Sequence, residues 1–266
     1  MIDLRLGDCL EVMKSIPDGS IDAIITDPPY GTTACKWDSV IDFDLMWEQL
    51  NRIIKPNGAI VLFGSEPFSS ALRMSNIKNY KYDWKWNKNK STGFLNAKKQ
   101  PLRRVEDILV FYKKQCVYNP QKTTGHKPVN SFTKHTSDGD TMGRTSLGIS
   151  GGGQTDRYPI NTLDIPVINN DNKDKYHPTQ KPVALMEYLI KTYTNEGELV
   201  LDFTMGSGST GVACVNTNRN FIGVEQDDKY FDIATERINK EEKQLKILWH
   251  YTLANVERLK NYLRLQ

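Results

Sequence analysis

Residues 21–38 read IDAIITDPPYGTTACKWD, an apolar run that stops abruptly at Asp27-Pro28-Pro29-Tyr30. Ile21, Ala23, Ile24 and Ile25 form a short, β-branched, nearly continuous stretch, the pattern of a strand buried on both faces of a parallel sheet. The prolines end it. Neither Pro28 nor Pro29 has an N–H to give to a ladder, and each holds φ at about −65°, so the chain leaves the sheet along a stiff, extended path. Carbonyls there lose their ladder partners. Asp27 and an adjacent free C=O make a site of acceptors only, suited to an –NH2 group, and Tyr30 offers a face on which a flat ring can stack. A plain strand-ending turn is the competing reading, since Asp and Pro are common turn residues. The rest of the chain decides between them.

Outward from this stretch the chain alternates strands and helices. Strands are expected at 2–6, 58–63, 82–86, 107–112, 198–203 and 220–225. Helices are expected at 45–54, where a Lys-Pro-Asn-Gly sequence stops the pattern, and at 183–193, 209–215 and 227–238. The expected fold class is α/β: a doubly wound, largely parallel, Rossmann-like sheet of about seven strands. Residues 119–172 break the rhythm with Gly, Ser, Thr, Asn and Asp, and read as an insert. Leu245, Trp249, Thr252, Val256, Leu259 and Leu263 follow the alternating four-and-three spacing of a heptad seam. Two heptads are short, so the tail is expected to pack on its own domain rather than on another chain.

With 38% hydrophobic residues and no apolar run long enough to span a bilayer, the 266-residue chain reads as soluble. Its start, MIDLRLGDCL, lacks a signal-peptide layout, which points to the cytoplasm. Cys9, Cys35, Cys116 and Cys214 are scattered without C-x-x-C spacing, so reduced thiols are expected and no metal. The net charge of +3 hides an asymmetry: residues 73–134 hold fifteen Lys and Arg against three acids, leaving a surplus of acids elsewhere. Trp84, Trp86, Phe94, Tyr112 and Tyr118 interleave with those cations, the footprint of a nucleic-acid surface; the alternative is a solvated basic face.

A second constellation lies at 198–227, ELVLDFTMGSGSTGVACVNTNRNFIGVEQD. A buried strand ends at Asp202, a Gly-rich turn follows, a helix starts near Ser209, and the next strand ends in Glu225. Gly206, Gly208 and Gly211 satisfy G-x-G-x-x-G, which admits a ligand close to the backbone, and Glu225 can accept from ribose hydroxyls. Alone, this fits a dinucleotide as well as an adenosyl cofactor. No Lys follows the glycines, which excludes a P-loop.

Together, GDCLEVM (7–13), TDPPYG (26–31), IIKPNGAIVLF (53–63), HPTQKP (177–182), DFTMGSGSTG (202–211) and NFIGVEQD (220–227) resemble the blocks of amino-methylating DNA methyltransferases. Their order, with D-P-P-Y first and the cofactor loop last, resembles the beta type of that family. The resemblance implies S-adenosyl-L-methionine as cofactor and adenine N6 in double-stranded DNA as target. It implies that the amine of an extruded base binds Asp27 and the Pro28 carbonyl, with Pro29 stiffening the loop, while the ring stacks on Tyr30. Two acceptors on the N–H bonds free the amine lone pair for in-line attack. By the same resemblance Asp8, with Cys9 beside it, flanks the cofactor adenine, and Glu225 meets the ribose. Asp202, Phe203, Thr204, Gly206, Gly208 and Ser209 form the cofactor loop, and Thr179 and Lys181 close over the methionine end. Trp86 is expected at the pocket wall, and Lys88, Lys98, Lys99, Arg103 and Arg104 on DNA. His177 is expected to be structural.

The implied organisation is a catalytic half at 1–114, a target-recognition insert at 115–175, a cofactor half at 176–240 and a helical tail at 241–266. A homodimer and a companion restriction endonuclease are further candidate partners. One departure stands out: relatives often carry His-Glu where this chain has Val105-Glu106. Cytosine-N4 methylation is the nearest rival, although that branch usually has Ser in place of Asp27. Ring-carbon methylation would need a Pro-Cys nucleophile, which the sequence lacks. Protein and RNA amino-methyltransferases usually place the cofactor block first. A nicotinamide oxidoreductase would explain the glycines but neither D-P-P-Y nor the basic band.

Overall fold

The computed structural model describes all residues except 33–37, 135–137, 140–142, 145–148, 170, 174 and 265–266, with backbone alone described at 134, 138–139, 143–144, 149 and 248–264. The chain runs β1 (Ile2–Leu6), α1 (Cys9–Met13), β2 (Ile21–Thr26), α2 (Phe43–Ile53), β3 (Ile54–Gly64), α3 (Phe68–Ser75), β4 (Tyr80–Thr92) and β5 (Arg103–Phe111). Four short strands follow, β6 (Phe132–Lys134), β7 (Asp138–Gly139), β8 (Gly143–Arg144) and β9 (Ile149–Gly151). The remainder is β10 (Thr162–Asp164), α4 (Val183–Tyr193), β11 (Leu199–Asp202), α5 (Ser209–Asn216), β12 (Asn220–Glu225) and α6 (Asp228–Arg264).

Two compact units result, Met1–Asn119 with Asn161–Gln266, and Pro120–Ile160. The first holds an eight-stranded sheet in the order β1-β12-β11-β2-β3-β5-β4-β10. Only the β3–β5 and β5–β4 pairings are antiparallel. Period-two alternation gives the sheet a core on each face. Ala59, Val61, Phe63, Ile108 and Val110 face one cluster, closed by Leu189 of α4, Ala213 of α5 and Ile238 of α6. Ile60, Leu62, Leu109 and Phe111 face the other, closed by Met13 of α1, Leu50 of α2 and Leu72 of α3. That two-sided burial is why the strands read as continuous apolar runs.

The doubly wound α/β class stands, with differences in detail. β10 adds an eighth strand, too short at Thr-Leu-Asp to leave a pattern; it pairs with β4 through Thr162–Lys85, Leu163–Trp86 and Asp164–Asn87. Lys-Pro-Asn-Gly ends no helix at a turn. It lies inside β3, where the pairing jumps from Ile21–Ile54 to Ala23–Ala59. Gly58 is required there, because a Cβ would lie 2.7 Å from the Asp22 carbonyl oxygen. β4 and β5 both run past their apolar portions into a charged extension. The tail does not form a separate element: α6 is continuous through 241, and the seam side chains from Trp249 onward, like Cys35, lie outside the described residues.

The second unit, Pro120–Ile160, lies within the expected 115–175 insert, while residues 115–119 and 161–175 group with the main unit. It contains the antiparallel ribbons β6–β9 and β7–β8. Its ends are drawn together by a Thr123–Arg157 bridge and a Lys122–Asp156 ion pair at 2.8 Å. Among the described residues no helix is long and apolar enough to cross a membrane, and no cluster of His, Cys, Asp and Glu is arranged to hold a metal.

Candidate active site

Parallel strands deliver their carboxyl ends to one edge of the sheet, where α/β ligands bind. Here four acids stand at the ends of four successive strands: Asp8 after β1, Glu225 on β12, Asp202 on β11 and Asp27 after β2. All four line a cavity of about 930 Å³, together with Tyr30, Lys88, Glu106 and Lys181.

On the β11–β12 side the acids shape the loop. Asp202, buried, accepts from the Thr26 hydroxyl at 2.5 Å, the Thr204 amide at 3.1 Å and the Thr210 hydroxyl at 2.5 Å. Burial pushes its carboxyl up to about 6, against the pull of the Thr210 and Thr26 hydroxyls. Glu225 accepts from the amides of Gly206, Gln226 and Asp227, each at 2.9 Å, which fixes its carboxylate at the cavity wall. Gly206 and Gly208 take φ of 51° and 78°, the left-handed region open to glycine. A Cβ on Gly208 would also strike the Ala234 side chain at 2.9 Å, so the loop packs directly on α6.

Ser209 opens α5, and its buried hydroxyl has no hydrogen-bond partner among the described residues. An orphaned hydroxyl at a helix N-terminus, on a residue that borders the cavity, suits an anionic group. Asp8 caps α1 through the Leu10 amide at 2.9 Å. Burial, then the Asp8 charge, pushes the Cys9 thiol up to about 12, so it stays uncharged. Phe203 is buried in the α1–α3 core and borders the cavity from below.

On the β2 side the D-P-P-Y loop is held by Asp38, whose carboxylate accepts from the amides of Tyr30 at 2.8 Å, Gly31 at 2.9 Å and Thr32 at 2.9 Å. The Thr204 hydroxyl donates to the Asp27 carbonyl at 3.1 Å and meets the Thr26 hydroxyl at 2.7 Å, so the two loops are stitched together. Tyr30 stacks one ring face on Phe68, centroids 5.0 Å apart.

The charged groups form a closed cluster. The Tyr30 hydroxyl donates to Asp27 Oδ1 and lies 3.0 Å from Glu106 Oε1, while Lys181 Nζ donates to Asp27 Oδ2 and lies 3.0 Å from Glu106 Oε1. Lys88 Nζ completes it at 2.5 Å from Glu106 Oε2. Two carboxylates face two ammonium groups, the pairing that buried charges require. Burial raises the Asp27 carboxyl, partly offset by Lys181, with Glu106 adding to the rise. Burial alone would raise Glu106 as well, but Lys181 and Lys88 hold it below the ordinary range. Burial, then the two carboxylates, keeps the Tyr30 phenol protonated. A phenol carries one proton, so it satisfies Asp27 or Glu106 but not both.

Lys181, Thr179, Lys88 and Trp86 line the same cavity. Lys181 sits on Asp27 and Glu106. Lys88 is committed to Glu106. Trp86 is 3% exposed and donates to the Ile165 carbonyl at 2.7 Å; it borders the cavity from the core, where β10 and its loop cover it. Trp84 shares that core cluster and donates to the Tyr193 hydroxyl at 2.6 Å. Thr179 pairs with His177 through its amide at 3.2 Å. Burial, then Lys181, pushes the His177 imidazole down to about 4, so it is neutral. Lys98, Lys99, Arg103 and Arg104 are exposed on the β4–β5 extension. Glu106 and Asp38 are the residues that sequence reasoning left without a role. The signals for them are slight: Glu106 begins an apolar run at the position of a familiar His-Glu pair, and Asp38 lies eight residues past Tyr30.

Over residues 21–236 the sequence matches the N6/N4 family described as DNA methylase. The Type II methyltransferase M.HpaI of Haemophilus parainfluenzae is 30% identical over 264 residues, spanning 90% of this chain and 76% of that protein. Among solved structures, the M1.HpyAVI–SAM complex superposes with a TM-score of 0.62 at 29% identity, covering 90% of this chain and all of that one. The cytosine-N4-specific PvuII DNA methyltransferase reaches the same TM-score, 0.62, at 17% identity over 91% of this chain and 92% of that chain, a likeness of fold alone.

Proposed function

The chain belongs to the N6/N4 family of DNA methylases and is an S-adenosylmethionine-dependent DNA methyltransferase; on that premise we propose that the amine it methylates is N6 of an adenine extruded from double-stranded DNA. The observation that carries this reading is a carboxylate, Asp27, rather than a hydroxyl, set between Tyr30 and Lys181 at the cavity wall.

The residues at the strand ends fit the cofactor. Glu225 presents a fixed carboxylate to the ribose hydroxyls, and the unpartnered Ser209 hydroxyl with the α5 N-terminus suits the methionine carboxylate. When bound, S-adenosylmethionine supplies an electrophilic methyl group on a positively charged sulfur.

The chain's own groups prepare the amine. An adenine entering the cavity stacks near Tyr30, a contact that offsets part of the few kcal/mol of extrusion. Tyr30 turns its single hydroxyl hydrogen from Asp27 to Glu106, which frees Asp27 Oδ1 to accept an N–H of the amine. The Pro28 carbonyl is a second acceptor. With both N–H bonds held, the nitrogen lone pair would be free to take up the methyl group that S-adenosylmethionine would supply, the electron pair of the S–C bond staying with sulfur. The surplus amine proton is then taken by Asp27, whose burial raises its affinity for it. Lys181 keeps Asp27 ionised until that moment.

Incubation of duplex DNA with the protein and S-adenosylmethionine, digestion to nucleosides and mass spectrometry test the reading. N6-methyladenine is expected; N4-methylcytosine alone would overturn the adenine assignment. We read Pro120–Ile160 as the target-recognition unit, so exchanging it for a relative's should change the sequence methylated without changing the base.

A further inference from the structure

Beyond residue 88 the strands β4 and β5 leave the core as a hairpin, still paired at Thr92–Arg103. Its tip is a single 3-10 turn, Phe94–Asn96, entered through Gly93 at φ 90° and closed by backbone bonds from Ala97 to the Phe94 carbonyl, 3.1 Å, and from Lys99 to the Asn96 carbonyl, 2.8 Å. The backbone is thus shaped, yet the side chains it displays contribute nothing to the core: Phe94 is 69% exposed and Leu95 fully so. Two large apolar groups side by side at the end of a projecting arm are an unusual expenditure of surface. Their neighbours are cationic, with Lys90, Lys98, Lys99 and Arg103 on the same hairpin. The arm, from Lys88 to its last pair at Thr92 and Arg103, lines the cavity that contains Asp27 and Tyr30.

From this juxtaposition we infer that Phe94 and Leu95 form an apolar wedge that enters the duplex where the target base has left the stack, an inference that rests on the DNA-methyltransferase reading above. An extruded base leaves an apolar gap between its former neighbours, and filling that gap with hydrocarbon offsets the lost stacking. The cations flanking the tip meet the phosphates on either side, so charge and apolar surface together select a nucleic acid over a protein partner. The cavity alongside the arm receives what the tip displaces.

The test uses the full chain and a duplex carrying the sequence at which it methylates the DNA of an expression host. A second duplex is identical but has an abasic nucleotide opposite the target base, which lowers the cost of extrusion. Single-turnover methylation by the Phe94→Ala/Leu95→Ala variant should fall about twentyfold or more on the first duplex and less than about threefold on the second. Leu95→Asp alone, at a position wholly in solvent, should reproduce that contrast. Equal losses on both duplexes, or no loss on either, would overturn the wedge. So would a dimer in the DNA-free wild type that dissociates in the double variant, which would make the tip an interface between copies. Failure of the wild type to methylate any DNA would instead strike the underlying reading, which keeps the two separable.

Discussion

The ammonium of Lys181 donates to the carboxylate of Asp27 from a position shared with Glu106, although the two residues lie 154 positions apart in sequence. Lys181 stabilises the ionised form of Asp27, and Asp27 must be ionised to accept from an amine. Replacing Lys181 with Met removes that stabilisation while leaving Glu106 as a like charge nearby. The acid limb of the kcat/KM profile should therefore move to higher pH, with a loss of roughly 10- to 100-fold at neutral pH. Affinity for S-adenosylmethionine should change little. A collapse of cofactor binding with an unmoved pH profile would return Lys181 to the methionine end.

Asp27→Ala should abolish turnover and leave cofactor binding near wild type, because Asp27 belongs to the β2 loop and not to the β11–β12 loop. Single-turnover kinetics and calorimetry on the same preparation decide it. Retention of more than about a tenth of the rate, under roughly 1.4 kcal/mol in barrier, would remove Asp27 from the chemistry.

Glu225→Gln should weaken S-adenosylmethionine binding by about tenfold or more. The substitution replaces one acceptor oxygen with a donor where Gly206, Gln226 and Asp227 already supply N–H groups. Unchanged affinity would count against the ribose assignment.

How much of this was legible in the sequence follows from which forces are local. The strand at 21–26 and its proline stop were readable because backbone chemistry fixes them, and the β11–β12 loop because only glycine tolerates its backbone. The extension of β4 and β5 was not, since a hairpin beyond the core carries no apolar period. The partner of Lys181 was not either. Its carboxylates come from β2 and β5, and long-range pairing between charges leaves no spacing to read. Glu106 stands out in the sequence only as the neighbour of Val105, which departs from a familiar His-Glu pattern, yet the fold makes it the acid that bridges Tyr30, Lys88 and Lys181.

Asp202 supplies a stability test. Its carboxyl is raised from the ordinary 3.8 to about 6 by burial, so the folded state binds its proton more tightly than the unfolded chain does. That contribution is fully present below about pH 4 and is lost as pH rises through about 6, amounting to about 3 kcal/mol. Asp202→Asn cannot titrate. The stability of the wild type relative to this variant, from urea unfolding without cofactor, should decline across that window and level off above it. A pH-independent difference would show that the threonine hydroxyls hold the carboxylate at its ordinary value.

The basic extension yields the last prediction, which separates cations that meet DNA from those that serve the active site. Lys98, Lys99, Arg103 and Arg104 are exposed, whereas Lys88 is spent on Glu106 at 2.5 Å. Each phosphate neutralised adds about 0.9 to the slope of log K against log salt, so six contacts would give about −5. Replacing all four exposed cations with Ala should flatten the slope by roughly 2 to 4 if most of them meet phosphates. Lys88→Ala should leave the slope as it is and slow methylation instead, because it unbalances the carboxylates around Tyr30. Phe94→Ala/Leu95→Ala carries no charge change and should not move the slope either. Fluorescence anisotropy across a salt series measures all three. A slope that responds to Lys88 but not to the four exposed cations would place the DNA backbone over the cavity mouth rather than along the hairpin.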